Sequence, residues 1–435
     1  MIKIITRLSF LFFLFISFQV YSQDTLTIMH YNLLFYGNTG PTPCNLLTPL
    51  QKNPHLRVIL DYTQPDIFGV NELGNDDLFA QNILLNTLNV SGVTKYKRAT
   101  YSNSKSQSIV NTIFYNSEKL TLKSQKIVSN VLRDINAYKL YYNHSSLAST
   151  QDTTFIIVMV AHLKAGSSSS DQATRASETI LVRNYLNTLP AAQNVIFMGD
   201  LNIQSSSETS YVHLINQTIK PFRNLVDPIN SNGSWNNNSL FSGIHTQSTR
   251  ANSSCDGGAP GGSDDRLDFI LCSKAIKEDS SRVKYLTGTY KTIGQDGLHF
   301  NQALNSSPLN TTVPANVLNA LFNMSDHLPV LAKFQIRAAS SVGLPSAELM
   351  SRSFIVQNPI DQEIKLWSSE NFNHGKMKIL LYSIEGKLIL ENEIPFFNGE
   401  YSISLENKLN SGLYMLVIQP ENGISIVKKI VSQSN

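Results

Sequence analysis

The chain repeats one pattern that restricts its fold more than any other: a short apolar run that ends on a lone polar residue. The stretch "VIFMGDLN", residues 195–202, is the plainest case. Val195 to Met198 form a continuous apolar run, as expected of a strand covered on both faces. Asp200 and Asn202 then stand at i and i+2, which point to the same side of an extended chain. Asn32 follows "TIMHY", Glu72 follows "DIFGVN", His162 follows "FIIVMVA", Asp268 opens "FIL", and Asp326 and His327 precede "LPVL". Each residue alone is what a turn needs, or what a structural histidine looks like. Together they describe one site at the open edge of stacked sheets. Carboxylates and carboxamides suit Mg²⁺ or Mn²⁺ rather than zinc, and a paired His and Asp suit proton transfer.

Residues 24–336 alternate strand-like and helix-like stretches. "TLTIMHYNLL", "DIFGVNEL", "SIVNTIFYN", "LTLKSQKIV", "TTFIIVMVAHLKA", "NVIFMGDLN", "RLDFILCS" and "DHLPVLAKFQI" read as strands. "PHLRVILDYTQ", "DDLFAQNILLNTL" and "SDQATRASETILVRNYLNTL" read as helices, the last capped by Ser170 or Asp171. Strands outnumber helices, which predicts two packed sheets with helices outside. Residues 203–266 and 294–324 are rich in Asn, Ser, Gly and Pro and read as long loops beside the site. "AASSVGLPSA" at 338–347 has linker composition, and only short strands and hairpin turns follow it. That tail reads as a small β-sandwich.

At the other end, Lys3 and Arg7 precede the apolar run Leu8 to Val20, and small residues follow. This is the order of a secretory signal peptide. An oxidising destination permits one disulfide among Cys44, Cys255 and Cys272. Cys272 lies in the apolar run "LDFILCS" and reads as a buried thiol, so Cys44 and Cys255, both in Gly/Pro-rich loops, are the expected pair. No cysteine spacing suits structural zinc. A net charge of +3 neither demands nor excludes a nucleic-acid partner.

The order "YNLL … VNEL … AHLKAG … MGDLN … RLDFIL … SDHLPV" resembles the endonuclease/exonuclease/phosphatase superfamily over about residues 24–336. The resemblance implies an α+β fold, a four-layer α/β/β/α sandwich like deoxyribonuclease I, and hydrolysis of phosphate esters with Mg²⁺ or Mn²⁺. Carried over by position, Glu72 is the main metal ligand, with Asn32 beside it and Asp326 assisting. Asp200 and Asn202 hold the attacking water and a phosphate oxygen. His327 is oriented by Asp268, and His162 faces the phosphate as general acid or charge stabiliser. Whether His327 or Asp200 is the general base stays open. "MHYNLL" departs from the family's usual tryptophan-asparagine start. Arg98 or Tyr101 in "YKRATYSN" and Asn111 in "SIVNTIFYN" are further candidates for substrate contact. "DGGAPGGSDD" offers Asp256, Asp264 and Asp265 to a structural Ca²⁺, with a plain flexible loop as the other reading.

The tail, with "NP", "YSIEGK", "LNSGLYML" and "KKIV", resembles the C-terminal sorting domain of type IX secretion cargo. The resemblance implies export across the outer membrane of a Gram-negative bacterium, after which the protein is released or held on the surface, without membrane insertion. A carbohydrate- or protein-binding sandwich is the alternative for the tail; it has few exposed aromatics beyond Trp367. The expected organisation is a signal peptide at 1–22, a catalytic domain at 23–338, a linker at 339–349 and a sorting domain at 350–435. The expected protein is a monomeric secreted nuclease acting on DNA or RNA. A sphingomyelinase-like enzyme, a phosphomonoesterase or a non-catalytic binding protein are the alternatives. A lipid enzyme would want an exposed apolar hairpin, for which Trp235 is the one loop tryptophan.

Overall fold

In the computed structural model the apolar runs form strands buried on both faces. Residues 23–37, 44–145, 147–150, 153–190, 193–216, 223–338, 354–368, 375–396, 399–421 and 425–433 are described. The expected signal peptide and linker lie outside them.

Strands β1 (Gln23–Tyr36), β2 (Ile67–Gly74), β3 (Tyr96–Arg98) and β4 (Ile109–Asn116) enter one sheet. Strands β5 (Leu120–Ser129), β6 (Ile135–Tyr142), β7 (Phe155–His162), β8 (Val195–Asp200), β9 (Leu225–Val226) and β10 (Asp268–Ser273) make a second. The chain then returns to the first sheet through β11 (Val283–Tyr285), β12 (Lys291–Thr292) and β13 (Val330–Arg337). The first sheet runs β11-β13-β1-β2-β4-β3, with β12 also on β13, and the second runs β5-β6-β7-β8-β10-β9. Near the middle of each lies one parallel pair, β1 with β2 and β7 with β8.

The faces of the two sheets share a core of Ile28, Ile67, Ile113, Val158, Ile196, Met198 and Val330. Their alternate residues point outward. Met29, Phe68 and Val70 pack under helices α1 (Pro49–Thr63) and α5 (Ala315–Met324). Met159, Phe197 and Leu271 pack under α3 (Ser169–Thr188) and α4 (Thr209–Ile215), while α2 (Asp77–Ile83) lies against the first sheet. This is a four-layer α/β/β/α sandwich. It explains why the strands read as unbroken apolar runs, since both faces are covered. Phe197 is fully buried, and truncating it to alanine would cost ~3–5 kcal/mol.

Several local expectations change. Helix α3 is capped two residues before Ser170: Ser168 is the N-cap, and Asp171 completes a capping box with it. The segment 294–324, expected to be loop, ends in α5, whose Val317, Leu318 and Leu321 close the core over α1. Its apolar period is short and follows a long polar run, which hid it. Helix α4 likewise lies inside the expected loop 203–266. Trp235 is no exposed hairpin tip; it is fully buried, donates from Nε1 to Ser231 O at 2.7 Å, and packs on Tyr211 and Phe269. Among the described residues no helix is long and apolar enough to cross a membrane.

The described strands of the tail pair antiparallel. Strands β14 (Phe354–Val356), β15 (Glu363–Ser368) and β18 (Gly399–Ser404) form one sheet. Strands β16 (Gly375–Ser383), β17 (Leu388–Phe396), β19 (Gly412–Pro420) and β20 (Ile426–Ser432) form the other. Ile364, Leu366, Ile379, Leu381, Leu416 and Ile418 fill the space between them. Trp367, expected to be exposed, is buried against Ile355 and Ala275.

Candidate active site

Strand register assembles the site. His162 is the register partner of Asp200 across β7 and β8, and Asp200 is the partner of Asp268 across β8 and β10. Three polar residues thus stand side by side on neighbouring strands. Gly199 allows this closeness, because a Cβ there would lie 1.8 Å from the carbonyl oxygen of Ala161. On the facing sheet Asn32 pairs with Asn71, and the register of β2 shifts just beyond. At that irregularity Glu72 adopts φ +55°, a left-handed conformation that is costly for a side chain and turns its carboxylate into the site. Asp326 and His327 arrive on the residues before β13. The Ser325 hydroxyl donates to Asn32 O at 2.8 Å and accepts from His327 N at 3.1 Å.

Glu72, His162 and Asp200 each offer one ligand atom, all within 4.8 Å of one another. Asn32 bridges the two carboxylates, donating from Nδ2 to Glu72 Oε1 at 3.1 Å and to Asp200 Oδ2 at 3.0 Å. His162 Nε2 lies 3.5 Å from Asp200 and 3.8 Å from Glu72. Burial raises Asp200 to about 7, with Asp268 and Glu72 adding repulsion against the pull of His327. Burial and Asp326 raise Glu72 as well. His162 is held well below its ordinary value by burial, then by Arg133 and His327. Two crowded carboxylates, Asp200 buried and Glu72 partly buried, beside a neutral imidazole fit a hard divalent cation, which would relieve their repulsion.

The second group is a carboxylate between two imidazoles. Asp268 Oδ2 lies 2.7 Å from Nδ1 of His327. Asp268 Oδ1 lies 3.3 Å from Nδ1 of His30, an ion-pair distance without hydrogen-bond alignment. Burial works against both charges. The two imidazoles still hold Asp268 below the ordinary carboxylate range, and Asp268, Asp326 and Asp200 hold His327 well above the ordinary imidazole value. His30 Nε2 lies 2.7 Å from Asn71 Oδ1, which also accepts from Asp200 N at 2.8 Å. A buried polar chain thereby ties both sheets together beneath the site.

The cleft has a volume of about 330 Å³ and is lined by Phe35, Glu72, His162, Asp200, Asn202, Gln204, Gln247, Asp265 and His327 among others. Asn202, at φ +52°, donates from its backbone N to Asp200 Oδ1 at 3.2 Å and from Nδ2 to Leu163 O at 3.3 Å. The structure brings together Asn32, Glu72, His162, Asp200, Asn202, Asp268, Asp326 and His327. It groups them differently from the expected ligand set. His162 and Asp200 join Glu72, while Asp326 faces Gln247 and Ala259, accepting at 2.9 Å and 2.8 Å. Asn32 turns N–H rather than oxygen toward the carboxylates, its Oδ1 being taken by Leu34 N at 3.0 Å.

Other candidates lie elsewhere. Arg98 is bidentate to Asp77 at 2.6 and 2.7 Å, and Tyr101 donates to Asn75 O at 2.5 Å. Asn111 is buried between Asn71 and Asp134 O and does not line the cleft. Asp256 is bound by Arg250 and Gly258 N. Among the described residues only Glu72, His162 and Asp200 form a cluster of three acidic or imidazole ligand atoms; Asp256, Asp264 and Asp265 do not form one. Cys44 and Cys255 are joined, and Cys272 is buried, its thiol pushed up to about 12.

Sequence reading missed Gln247, Arg133 and His30. Gln247 comes from a polar loop with no motif. Arg133 lies ahead of β6; its guanidinium donates to His162 O at 3.0 Å, leaves Nε unpartnered, and faces Glu72, Glu178 and Asp200. His30 stands two residues before Asn32 in "MHYN" and could have been found by that i, i+2 relation.

A profile described as the Endonuclease/Exonuclease/phosphatase family matches residues 29–327, and one described as a secretion system C-terminal sorting domain matches 358–433. No curated protein matches the chain. Among solved structures, D. rerio TDP2 complexed with single-strand DNA product is 15% identical at a TM-score of 0.45, covering 72% of this chain and 99% of that one. The human Nocturnin catalytic domain with bound sulfate is 14% identical at 0.42, covering 72% and 97%. A mannosyl-6-phosphatase of Bacteroides thetaiotaomicron is 16% identical at 0.41, covering 71% and 99%.

Proposed function

The chain belongs to the endonuclease/exonuclease/phosphatase family and is a hydrolase of phosphate esters; we propose that it is a secreted, divalent-metal-dependent phosphodiesterase acting on DNA or RNA. The observation that carries this reading is the Glu72–His162–Asp200 cluster beside the Asp268–His327 pair, with Glu72 partly buried and the other four side chains buried at one mouth of the sandwich. We divide the chain into a signal peptide at 1–22, this hydrolase at 23–338, a linker at 339–349 and a type IX sorting domain at 350–435. The tail's match to a sorting domain supports export by that machinery.

Glu72 and Asp200 would hold a Mg²⁺ or Mn²⁺ ion, with His162 beside it. When bound, such an ion supplies positive charge to the phosphoryl oxygens. The remaining work belongs to side chains. Asp268 orients the His327 ring through Nδ1, and Nε2 stands at the cleft wall beside Gln247 and Asn32, where it would orient a water or exchange a proton with it. Asn202 lines the same space, and the Arg133 guanidinium, which interacts electrostatically with Glu72 and Asp200, would add positive charge where a pentavalent phosphorane gathers negative charge. Asp200 remains the other candidate base.

Asp264 and Asp265 favour a second reading. Asp265 lines the cleft, and burial raises both, Asp264 to about 6. A carboxylate rim repels a polyanion and suits a phosphate ester with an uncharged body. The buried position of Trp235 removes the feature that pointed to a lipid surface. The test is hydrolysis by residues 23–435 of plasmid DNA, total RNA and a series of sugar phosphates with Mg²⁺ or Mn²⁺, with and without EDTA. Metal-dependent cleavage of nucleic acid supports the first reading. Cleavage of sugar phosphates alone supports the second, and no cleavage of any ester would sink both.

A further inference from the structure

Gln247 sits where two backbone segments meet in the wall of the cleft. Its residue pairs on one side with Asp265 and on the other with His327. Thr249 N donates to Asp326 O at 2.9 Å, and Leu328 N donates to Thr246 O at 2.7 Å, so the main chain brackets Asp326 and His327 from both ends. The side chain then closes the bracket. Its Nε2 lies 2.9 Å from Asp326 Oδ2 and 2.8 Å from His327 Nε2. An ionised carboxylate only accepts, so the nitrogen end of the carboxamide must face Asp326. The same end of the carboxamide lies against Nε2 of His327, whose Nδ1 is occupied by Asp268 at 2.7 Å. The ring edge facing the cleft is therefore fixed by Gln247, as its back edge is fixed by Asp268.

We propose that Gln247 is a positioning residue of this site: its carboxamide spans Asp326 and His327 Nε2 and aims the ring edge at the reacting phosphorus. The proposal rests on the phosphodiesterase reading for its kinetic consequence, and on geometry alone for the hydrogen bond. A glutamine that merely filled the wall would make no such demand, because a side chain of equal volume without N–H groups would fill it as well.

The test compares residues 23–435 with Gln247→Met and Gln247→Glu variants, using bis(4-nitrophenyl) phosphate and Mn²⁺. Circular dichroism and Tm check folding. Gln247→Met should lower kcat by about 20-fold or more while KM stays within about 3-fold, the split expected for an interaction that orients without binding substrate. Gln247→Glu sets a carboxylate against Asp326 and should lower kcat further. The second readout is the ¹⁵N resonance of His327 Nε2 in the metal-free protein, assigned by its disappearance in His327→Asn. Loss of the N–H partner should shift it in both variants. Wild-type kcat in Gln247→Met, or an unmoved Nε2 resonance, overturns the proposal. Should Gln247→Met fail to fold, Gln247→Asn, which keeps the carboxamide but falls short of both partners, takes its place with the same expectations. If wild type cleaves no phosphate ester, the functional reading fails and the ring resonance alone decides the role of Gln247.

Discussion

Asp268 Oδ2 stands 2.7 Å from Nδ1 of His327, with both groups buried. A charge-assisted hydrogen bond of this length fixes ring orientation and tautomer together. Asp268→Asn keeps the shape and can present an N–H to Nδ1, which favours the wrong tautomer. The expected loss in kcat is about 10²–10⁴-fold with the fold intact, as for other carboxylate–imidazole pairs. Steady-state kinetics on the two proteins, with Tm as control, decide it; a loss under threefold would remove His327 from the reaction.

Metal affinity should rise with pH and level off above about 7. Asp200 is raised to about 7 and Glu72 is raised too, so below that range protons compete with the ion for the same oxygens. Calorimetric titration with Mn²⁺ at pH 5.5, 6.5, 7.5 and 8.5 should show tighter binding at each step up to neutrality. It should also show proton release that shrinks as pH rises. An affinity independent of pH would place the ion elsewhere.

Glu178 gives a stability prediction with a sign. This α3 carboxylate is buried, accepts from Lys164 N at 3.0 Å, and leaves Oε1 unpartnered. Burial raises it to about 7, although Lys164 N and Arg133 pull the other way. The folded state therefore holds the proton more tightly than the unfolded state. Stability from this proton is fully present below the ordinary carboxylate value and is lost as pH rises through about 7. Glu178→Gln should match wild type at pH 4 and exceed it by ~1–3 kcal/mol at pH 8. Urea unfolding at the two pH values tests this, and a variant no more stable at pH 8 contradicts it.

The Cys44–Cys255 bond closes a sequence separation of 211 residues and anchors the loop that carries Ala259 N onto Asp326 at 2.8 Å. Paired serine substitutions should cost ~2–5 kcal/mol and lower kcat as well, because the loop also shapes the cleft. Thermal unfolding and kinetics on the double variant check both parts. Full activity in the double variant would detach the loop from the site.

Arg133 should act on binding as well as rate. Its positive charge, which interacts electrostatically with Glu72 and Asp200, suits an anionic ester. Arg133→Ala should raise KM for any phosphate ester cleaved and lower kcat about 10-fold or more, as for loss of one charge-stabilising donor. Unchanged KM and kcat would leave it a structural residue.

The strands and their polar ends were legible because a sheet covered on both faces leaves an unmistakable apolar run. His162, Asp200 and Asp268 could be named for that reason, and the register then placed them side by side. Residues delivered by loops away from the strand ends were not legible. Gln247 acquires its position from pairing with Asp265 and His327, partners that are remote from it in sequence. Ala259 contributes only a backbone N–H, which no residue type announces. Helix α5 was missed because its apolar face spans only ten residues after a polar run. Trp235 was misjudged because a loop composition surrounds it, whereas Arg266 and Asp227 pair beneath it and make its burial feasible.

The matched register of His162, Asp200 and Asp268 separates chemistry from taste. Because β7, β8 and β10 measure out the spacing of the three side chains, the loop positions at 203–266 that touch neither Asp326 nor His327 carry no responsibility for it and are free to change sign. A descendant could trade the carboxylate rim at Asp264 and Asp265 for a basic one without disturbing a single reacting atom. The scaffold behaves as a fixed bench on which interchangeable grips are mounted, and diversification of such a chain proceeds by loop turnover while its strands stand still.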